Sequence, residues 1–305
     1  MKQYRNYIYI LLMLLVTLFS FSGCSINDLP QAVGQTRSNT VSTTPVGQLD
    51  VYMLDIGQGD AVLLKVGNEY SMIDTGDIEH RENILSQLKS LGVTKIKNII
   101  ITHPHPDHMG GFYAIAKEIP IENVYDDGVT VDNNMFKTYE KVIAKYKIKQ
   151  QVLKKGDVLD FGNGAIFTVY APWDEIIKDK KGEPDLNNNS IVGKLEFGKF
   201  SMLFTGDAEP TEEKCLITEA NSKLFARVLK VAHHGSNKSS SEDFIKSVKP
   251  ESALISVGMH NTYNHPGQYT LERLNAQNVE IYRTDTMGRI HIETNGEIWH
   301  ISTER

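Results

Sequence analysis

The sequence predicts a single layered α/β domain. From residue 49 onward, apolar strand-like segments alternate with amphipathic segments of helical period, and several strand pairs are separated by hairpin-length turns. Such alternation is typical of a sheet covered by helices. No repeat or internal linker interrupts residues 48–305, so we expect one domain there, long enough to bury its own core.

Each predicted strand is a short run rich in β-branched or aromatic residues and bounded by turn residues. In order, the predicted strands are Leu49–Leu54, Ala61–Lys65, Tyr70–Asp74, Ile99–Thr102, Ala165–Tyr170, Ser190–Phe197, Phe200–Thr205, Val228–Val231, Ala253–Val257, Glu280–Arg283, Arg289–Glu293 and Ile298–Ile301. Each predicted helix repeats apolar residues three or four positions apart. The predicted helices are Arg81–Leu91, Gly111–Glu118, Phe136–Lys145, Thr211–Ala220, Ser240–Val248 and Tyr269–Asn275.

The strongest chemical signal follows the apolar run Ile99–Ile101. Three histidines and an aspartate lie there within six positions, namely His103, His105, Asp107 and His108. Imidazole and carboxylate are the ligand types that zinc prefers, and manganese and iron also accept them. Such side chains crowded at a strand end repel one another or stay unsatisfied unless a cation lies between them. The segment therefore predicts a metal centre rather than a polar surface loop.

Four further motifs also follow strand-like segments. Asp55–Asp60 reads Asp-Ile-Gly-Gln-Gly-Asp, a tight turn that lets the backbone approach a site. Ile73–Gly76 carries an aspartate that either caps a turn or serves the site. Leu203–Ala208 contains Thr-Gly-Asp at 205–207, and Lys230–Ser236 contains a histidine doublet.

With the Asn-Asn-Ser segment at 188–190 and the late motif Asn261–Pro266, these strings resemble the metallo-β-lactamase fold superfamily. Within it they are similar to the extracellular hydrolase domain of the competence protein ComEC and its free-standing relatives. The resemblance covers roughly residues 49–301. It implies a four-layer αββα sandwich whose metals lie at one edge, where loops converge.

The resemblance also implies two divalent metal ions, zinc in the first instance with manganese as the alternative. His103 and His105 would bind the ion at what we call site one. Asp107 and His108 would bind the ion at site two, and Asp207 would bridge the two ions. In this sequence the ComEC channel has no counterpart, because nothing after Phe21 is long and apolar enough to span a membrane.

The doublet His233-His234 should supply the last ligand of site two, and the sequence alone leaves open which histidine does so. We assign His234 to the metal and His233 to catalysis. The common superfamily pattern has a third site-one histidine, yet no histidine occurs between residues 109 and 232. That interval offers the asparagine-rich segment Asp185–Val192 instead. We therefore expect site one to have fewer protein ligands, to bind its ion more weakly, or to be completed by water.

The implied chemistry is attack of a metal-activated hydroxide on an ester. Asp107 would help to orient the nucleophile, and His265 or His233 would supply a proton to the leaving group. The residues expected to contact the substrate are Asn189, Ser236, Asn261 and His265.

The first hypothesis for function is a phosphodiesterase that acts as a nuclease on extracellular DNA. Hydrolysis of a cell-envelope phosphoester uses the same chemistry and stays open. Hydrolysis of a β-lactam or lactone is disfavoured by the missing third histidine. The alternative from another class is a non-catalytic DNA-binding module of an uptake system.

Charge narrows the substrate. The chain contains 32 basic and 38 acidic residues, a net charge of −6 at pH 7. A protein that wraps long duplex DNA shows a basic surface, so we expect no long-duplex binding. Single-stranded DNA, DNA ends or short phosphodiesters fit better. The sequence predicts no particular oligomeric state.

Residues 1–24 have the pattern of a lipoprotein-type signal peptide. Lys2 and Arg5 precede an apolar stretch that ends in Phe21-Ser22-Gly23-Cys24. This ending is similar to a bacterial lipobox in which Cys24 is lipidated; the alternative is an uncleaved anchor. Residues 25–47 are rich in Ser, Thr, Gln and Asn and predict a flexible linker. We expect a lipid-anchored, extracytoplasmic bacterial lipoprotein whose hydrolase domain spans 48–305.

Overall fold

The computed structural model describes residues 44–305. The predicted signal peptide, the lipidation site Cys24 and most of the predicted linker lie outside the described residues. The N–H of Val46 donates a hydrogen bond to the carbonyl of Asn163 at 2.9 Å, so the end of the predicted linker already contacts the domain. Within 44–305, no helix has both the length and the apolar character needed to cross a membrane.

The strands of the described residues form two sheets. In chain order they are β1 (Leu49–Met53), β2 (Val62–Val66), β3 (Glu69–Ile73), β4 (Ile96–Ile100), β5 (Ile121–Asp126), β6 (Lys149–Val152), β7 (Val158–Gly162), β8 (Ala165–Ala171), β9 (Val192–Phe197), β10 (Phe200–Phe204), β11 (Val228–Lys230), β12 (Ser252–Ile255), β13 (Glu280–Arg283), β14 (Ile290–Thr294) and β15 (Trp299–Thr303). The first sheet has the order β15-β14-β1-β2-β3-β4-β5-β6 and the second β13-β12-β11-β10-β9-β8-β7.

The α-helices of the described residues connect these strands. They are α1 (Arg81–Ser90), α2 (Pro106–Met109), α3 (Phe112–Glu118), α4 (Asn134–Tyr146), α5 (Pro210–Ala220), α6 (Glu242–Val248), α7 (Gln268–Ala276) and α8 (Thr284–Met287). Side-chain caps stabilise two of them, since Asn133 accepts from the N–H of Phe136 and Ser241 accepts from the N–H of Phe244.

Three apolar clusters define four layers. The inner faces of the two sheets share one cluster, which contains Leu64 of β2 and Phe204 of β10. A second cluster packs α1, α3 and α4 against the outer face of the first sheet, with Phe112 at its centre. A third packs α5, α6 and α7 against the second sheet through residues such as Phe244. The predicted four-layer αββα class is confirmed.

Every predicted element is present, with ends shifted by up to three residues. The sequence reading missed β5, β6 and β7 and the short helices α2 and α8. Strand β6 shows why: its residues Lys149–Val152 are all exposed, so no apolar alternation marks it. It is a strand because its backbone pairs in parallel with β5 at the sheet edge.

Sheet direction brings the motifs together. Strands β3, β4 and β5 are mutually parallel, and so are β10, β11, β12 and β13. The carboxyl ends of parallel strands lie at the same edge of a sheet. In the first sheet, Asp74 follows β3 and the histidine cluster follows β4, so both lie at one edge. In the second sheet, Asp207 follows β10 and the histidine doublet follows β11, again at one edge.

Candidate metal centre

The histidine cluster forms the turn between β4 and α2. His103 and His105 precede the helix, and Asp107 and His108 lie within it. Pro106 is at the start of α2, where its fixed φ favours a helix and its missing N–H costs nothing. The N–H of Asp60 donates to the carbonyl of Asp107 at 3.0 Å, so the Asp-Ile-Gly-Gln-Gly-Asp turn is hydrogen-bonded to this helix.

Two glycines allow these segments to approach one another. Gly59 has φ +128°, and a Cβ there would lie 2.6 Å from the carbonyl oxygen of Asp107. Gly206 has φ +48°, and a Cβ there would lie 2.9 Å from the side chain of Ser190. Any larger residue at either position would push a ligand-bearing turn out of place.

The structure groups the predicted ligands in two sets that share Asp207. Asp107, His108, Asp207 and His234 each offer a ligand atom within 4.8 Å of the others. His103, His105 and Asp207 do the same. These sets correspond to site two and site one, and they meet at the carboxylate expected to bridge two ions.

Site two is the more buried set. His108 Nε2 lies 3.2 Å from Asp207 Oδ1, and His234 Nε2 lies 3.1 Å from Asp107 Oδ2. The side chains of His108, His234 and Asp207 are almost fully buried, whereas that of Asp107 is 29% exposed. Asp107 is therefore the ligand of this set that faces the solvent.

The opposite ring nitrogens of the site-two histidines are held by acceptors. His108 Nδ1 lies 2.8 Å from Asp74 Oδ2, and His234 Nδ1 lies 3.0 Å from the carbonyl oxygen of Ser256. This contact answers the question that the sequence left open for Asp74, which orients His108. An acceptor behind a ligating imidazole fixes its tautomer and raises its basicity.

Asp60 and Lys230 form a buried ion pair beside site two. Lys230 Nζ lies 2.6 Å from Asp60 Oδ2, with its side chain only 2% exposed. Asp60 Oδ1 lies 3.4 Å from His234 Nδ1. Burial raises the pKa of Asp60, but Lys230 and His234 outweigh burial and lower it to about 2. Asp60 therefore remains a carboxylate next to the metal ligands.

Site one has a different surrounding. His103 Nε2 lies 2.9 Å from His105 Nδ1 and 3.8 Å from Asp207 Oδ2. On the other side of the His103 ring, the hydrogen-bond partners of Nδ1 among the described residues are two hydroxyls, Thr102 Oγ1 at 3.2 Å and Ser190 Oγ at 3.4 Å. Burial and the neighbouring His108 lower the pKa of both site-one histidines, so they stay neutral and ready to act as ligands.

The histidine doublet occupies a left-handed turn after β11. His233 has φ 50° and ψ 48°, and His234 has φ 52° and ψ 26°. Consecutive left-handed residues with a Cβ cost roughly 1–2 kcal/mol each. Both histidines approach Asp207 Oδ2, His233 Nε2 at 3.7 Å and His234 Nε2 at 3.8 Å. His234 Nε2 also lies 3.1 Å from Asp107 Oδ2, whereas His233 Nδ1 lies 3.3 Å from Glu209 Oε1. His234 is thus a member of a ligand set, and His233 lies beside it.

The donor chemistry fits divalent cations. His108 Nε2 and Asp207 Oδ1 are both buried and face each other at 3.2 Å, and neither has a hydrogen-bond partner within residues 44–305. Buried polar atoms normally have a partner, and a shared cation would satisfy both. Imidazole nitrogen and carboxylate oxygen are the ligands that zinc and manganese accept.

A cavity of about 250 Å³ opens over the two ligand sets. Its lining residues are Gln58, His105, Pro106, Asp107, Asp207, His233, His234, Tyr263 and His265. The predicted catalytic residues Asp107, His233 and His265 are all among them. Burial and the imidazoles of His234 and His233 lower the pKa of His265 to about 4. His265 is therefore neutral at neutral pH, and there it can offer a hydrogen bond rather than a positive charge.

Of the four residues predicted to contact the substrate, His265 lines the cavity and the other three do not. Asn261 does not line the cavity: its amide nitrogen donates to the carbonyls of Gly258 and His265, and its oxygen accepts from the N–H groups of Tyr263 and His265. It fixes the loop that carries His265. Asn189 is buried, and its amide bonds to the backbone of Ile177 and Asp185. The structure does not bring Asn189 to the cavity.

Ser236 lines a second hollow, which adjoins the first. The sequence reading missed four residues near the centre: Gln58, Lys230, Glu209 and Tyr263. Each belongs to, or lies within two residues of, a motif already singled out. No pattern in the sequence showed which side chains of those motifs would turn inward.

Comparison with known proteins assigns the chain to a family. Residues 54–260 match the family model described as metallo-beta-lactamase superfamily. The chain is 30% identical over 248 residues to "Competence protein ComA" of Neisseria gonorrhoeae, covering 81% of this chain and 32% of that protein. It is 29% identical over 259 residues to "ComE operon protein 3" of Bacillus subtilis, covering 79% of this chain and 32% of that protein. The chain thus spans about a third of the length of these relatives.

Solved structures show the same fold. The metallo-beta-lactamase fold protein YhfI from Bacillus subtilis has a TM-score of 0.55 at 13% identity, covering 82% of this chain and all of that one. CmlA, a diiron β-hydroxylase from Streptomyces venezuelae, has a TM-score of 0.53 at 12% identity, covering 82% of this chain and 55% of that one. At these identities the likeness concerns the fold alone.

Proposed function

Since the chain belongs to the metallo-β-lactamase superfamily, we propose that it is a hydrolase of phosphodiesters that depends on two divalent metal ions, zinc or manganese. The observation that carries the proposal is the meeting of two ligand sets at Asp207, on the floor of an open cavity. Two metals bridged by one carboxylate are the usual arrangement for in-line displacement at phosphorus.

His103 and His105 would hold one ion, Asp107, His108 and His234 the other, and Asp207 both. When bound, the ions would lower the pKa of a water molecule toward neutral and withdraw charge from the phosphoryl oxygens. The protein's own part is positional. Asp107 is the ligand carboxylate with an exposed side chain, so it can orient the attacking water.

Two further histidines, His233 and His265, line the cavity beside the ligands. Neutral His265 can donate a hydrogen bond to a substrate oxygen. His233, whose Nδ1 lies 3.3 Å from Glu209 Oε1, lines the cavity as the candidate proton donor for the leaving alkoxide. The described residues that line this cavity include no serine and no cysteine.

Single-stranded DNA, DNA ends or short phosphodiesters are the substrates we propose. The net charge of −6 disfavours tight binding to long duplexes. The names of the similar proteins from Neisseria gonorrhoeae and Bacillus subtilis, which refer to competence and to a ComE operon, support a role at extracellular DNA.

We also propose that the protein is attached to the outer face of the membrane through lipidated Cys24. The Phe21-Ser22-Gly23-Cys24 string supports this location. Fractionation should find the protein in membranes, and a Cys24→Ala variant or inhibition of lipoprotein signal peptidase should stop its maturation. Unchanged processing in the variant would contradict lipid anchoring.

The test of activity uses the purified protein with zinc or manganese, bis-p-nitrophenyl phosphate and an end-labelled single-stranded oligonucleotide. We expect metal-dependent turnover of both substrates. The double variant His103→Ala/Asp107→Ala should lose activity by a factor on the order of 10³ or more, because each site loses a ligand. His300→Ala, which changes an exposed histidine of β15, should retain it.

Two results would contradict the proposal. Metal-loaded protein that hydrolyses neither substrate would exclude a phosphodiesterase and favour a binding role. Turnover that survives in the double variant would show that these ligands do not carry the reaction.

A further inference from the structure

The metal cavity continues into a second hollow of about 410 Å³. His233, Tyr263 and His265 line both cavities, so the two are joined along one wall. The remaining residues of the second hollow are Glu209, Ser236, Asn237, Lys238 and Asn264. A volume of this size lies within the range of roughly 300–1,000 Å³ that small-molecule sites occupy.

The junction between the two cavities carries an exposed aromatic ring. Tyr263 is 65% exposed, and its ring stacks on His265 with centroids 5.7 Å apart and planes 26° from parallel. The loop is fixed by Asn261, whose side chain accepts from the N–H groups of Tyr263 and His265. The ring is therefore a preformed flat surface beside the metal centre.

The second hollow also contains a positively charged side chain, Lys238. Lys238 is exposed and forms no ion pair with any other residue of 44–305. The acidic group of the hollow, Glu209, lies 3.3 Å from His233 Nδ1 and accepts from the amide of Asn187 at 3.3 Å. Lys238 lies near enough to help lower the pKa of Glu209 but forms no ion pair with it, so its ammonium group can still meet an anion.

We propose that this hollow is a substrate subsite for the nucleotide next to the scissile phosphate, with its base stacked on Tyr263 and its next phosphate near Lys238. The inference rests on the proposed phosphodiesterase function and names the substrate as a single-stranded oligonucleotide. Stacking on an aromatic side chain requires an unpaired base, because a paired base is already stacked in its duplex. Base stacking on aromatic residues tolerates any sequence.

The first test compares KM for two oligonucleotides of equal length, one with bases and one made of abasic units. Wild-type protein should prefer the base-bearing strand by about tenfold in KM, as expected for one stacked base. Tyr263→Ala should remove that preference, and Tyr263→Trp should keep it. Tyr269→Ala should also keep it, because Tyr269 is 66% exposed but lines neither cavity.

The second test measures binding rather than turnover: the anisotropy of a fluorescent single strand is followed as the salt concentration is raised. Lys238→Ala should lower the slope of log affinity against log salt by about 0.7, the value for one lost phosphate contact on a single strand. Lys141→Ala, which changes an exposed lysine of α4, should leave the slope unchanged.

The outcomes separate this inference from the proposed function. Hydrolysis of bis-p-nitrophenyl phosphate together with an unaltered base preference in Tyr263→Ala would overturn the subsite alone. An equal loss on base-bearing and abasic strands would assign Tyr263 a structural role and would also overturn it. Protein that hydrolyses no phosphodiester would overturn the function and the subsite together.

Discussion

The two halves of the metal centre share Asp207 but differ in what supports them. In site two, each histidine is held from behind by a strong acceptor: His108 by Asp74 at 2.8 Å and His234 by the carbonyl of Ser256 at 3.0 Å. In site one, His103 Nδ1 contacts the hydroxyls of Thr102 and Ser190 and no carboxylate or carbonyl of residues 44–305. Acceptors behind ligating histidines raise their basicity and hold their orientation. We infer from this difference that site two would bind an ion more tightly than site one.

The difference also has a functional reading. Site two draws on three side chains besides Asp207, and site one draws on two. A catalytic metal needs an open coordination position, whereas a fully surrounded metal serves structure and orientation. We infer that site one receives the substrate oxygen and that site two holds the centre together.

Removal of one histidine from each half should produce the largest difference. Turnover should fall by a factor on the order of 10³ in both His108→Ala and His105→Ala, since both ions are needed. Metal content should separate the two variants. After gel filtration, His105→Ala should retain about one ion per chain and His108→Ala clearly less, because site two is the tighter site.

Elemental analysis by mass spectrometry, with wild-type protein alongside, measures this difference. Equal metal content in the two variants would contradict unequal sites. A higher content in His108→Ala would reverse the assignment.

A smaller effect is expected from the support behind site two. Asp60→Asn should weaken metal binding at site two by about 10–100-fold and leave site one unchanged, as is typical for loss of an outer carboxylate. The single variant leaves the buried Lys230 without its ion-pair partner, so it should also lose roughly 3–5 kcal/mol of stability. The double variant Asp60→Asn/Lys230→Met should recover stability but not metal affinity.

Asp126→Asn is the matched control. Asp126 is similarly buried and accepts from the hydroxyl of Tyr139 at 2.8 Å, but it belongs to β5 and lines neither cavity. Isothermal titration with zinc and thermal unfolding of the metal-free proteins give both quantities. If metal affinity in Asp60→Asn matched that in Asp126→Asn, the buried pair would have no part in the centre.

The smallest effect is a difference in proton release. In the metal-free protein, burial lowers the pKa of His234, but Asp207 and Asp60 outweigh burial and raise it to about 10. The carboxylates around His108 likewise raise its pKa, whereas the pKa values of His103 and His105 are lowered. At pH 7.5 an ion entering site two must displace protons, and an ion entering site one displaces none.

Affinity at site two should therefore rise with pH until about pH 10, while affinity at site one stays flat above pH 7. The same raised pKa makes the metal-free fold lose stability as pH rises from the unfolded value toward about 10. Calorimetric titration in buffers of different ionisation enthalpy counts the protons. Equal release at both steps would remove this distinction between the sites.

The ligands could be predicted because their residue types are concentrated in short segments. His103, His105, Asp107 and His108 lie within one turn, and parallel strands bring Asp207 and the doublet to the same edge. The four-layer architecture followed from family resemblance, since periodicity shows which segments are strands but not how sheets stack.

The support of the centre could not be predicted. Asp60 lies in the turn before β2 of the first sheet, and Lys230 is the last residue of β11 in the second sheet. Only the folded chain shows that their side chains meet at 2.6 Å. Asn189 illustrates the reverse case. Its position in a motif suggested substrate contact, yet backbone groups of Ile177 and Asp185 satisfy its whole amide. A pattern identifies a segment, and packing decides which side chains of that segment reach the site.

The most direct test is a titration of metal-free protein with zinc or manganese, in which bound metal and hydrolysis of bis-p-nitrophenyl phosphate are measured in the same samples. We expect the first equivalent to bind tightly at site two with little activity, and turnover to rise with the second, weaker equivalent. Full activity after one equivalent, or none after two, would contradict a two-metal phosphodiesterase with unequal sites.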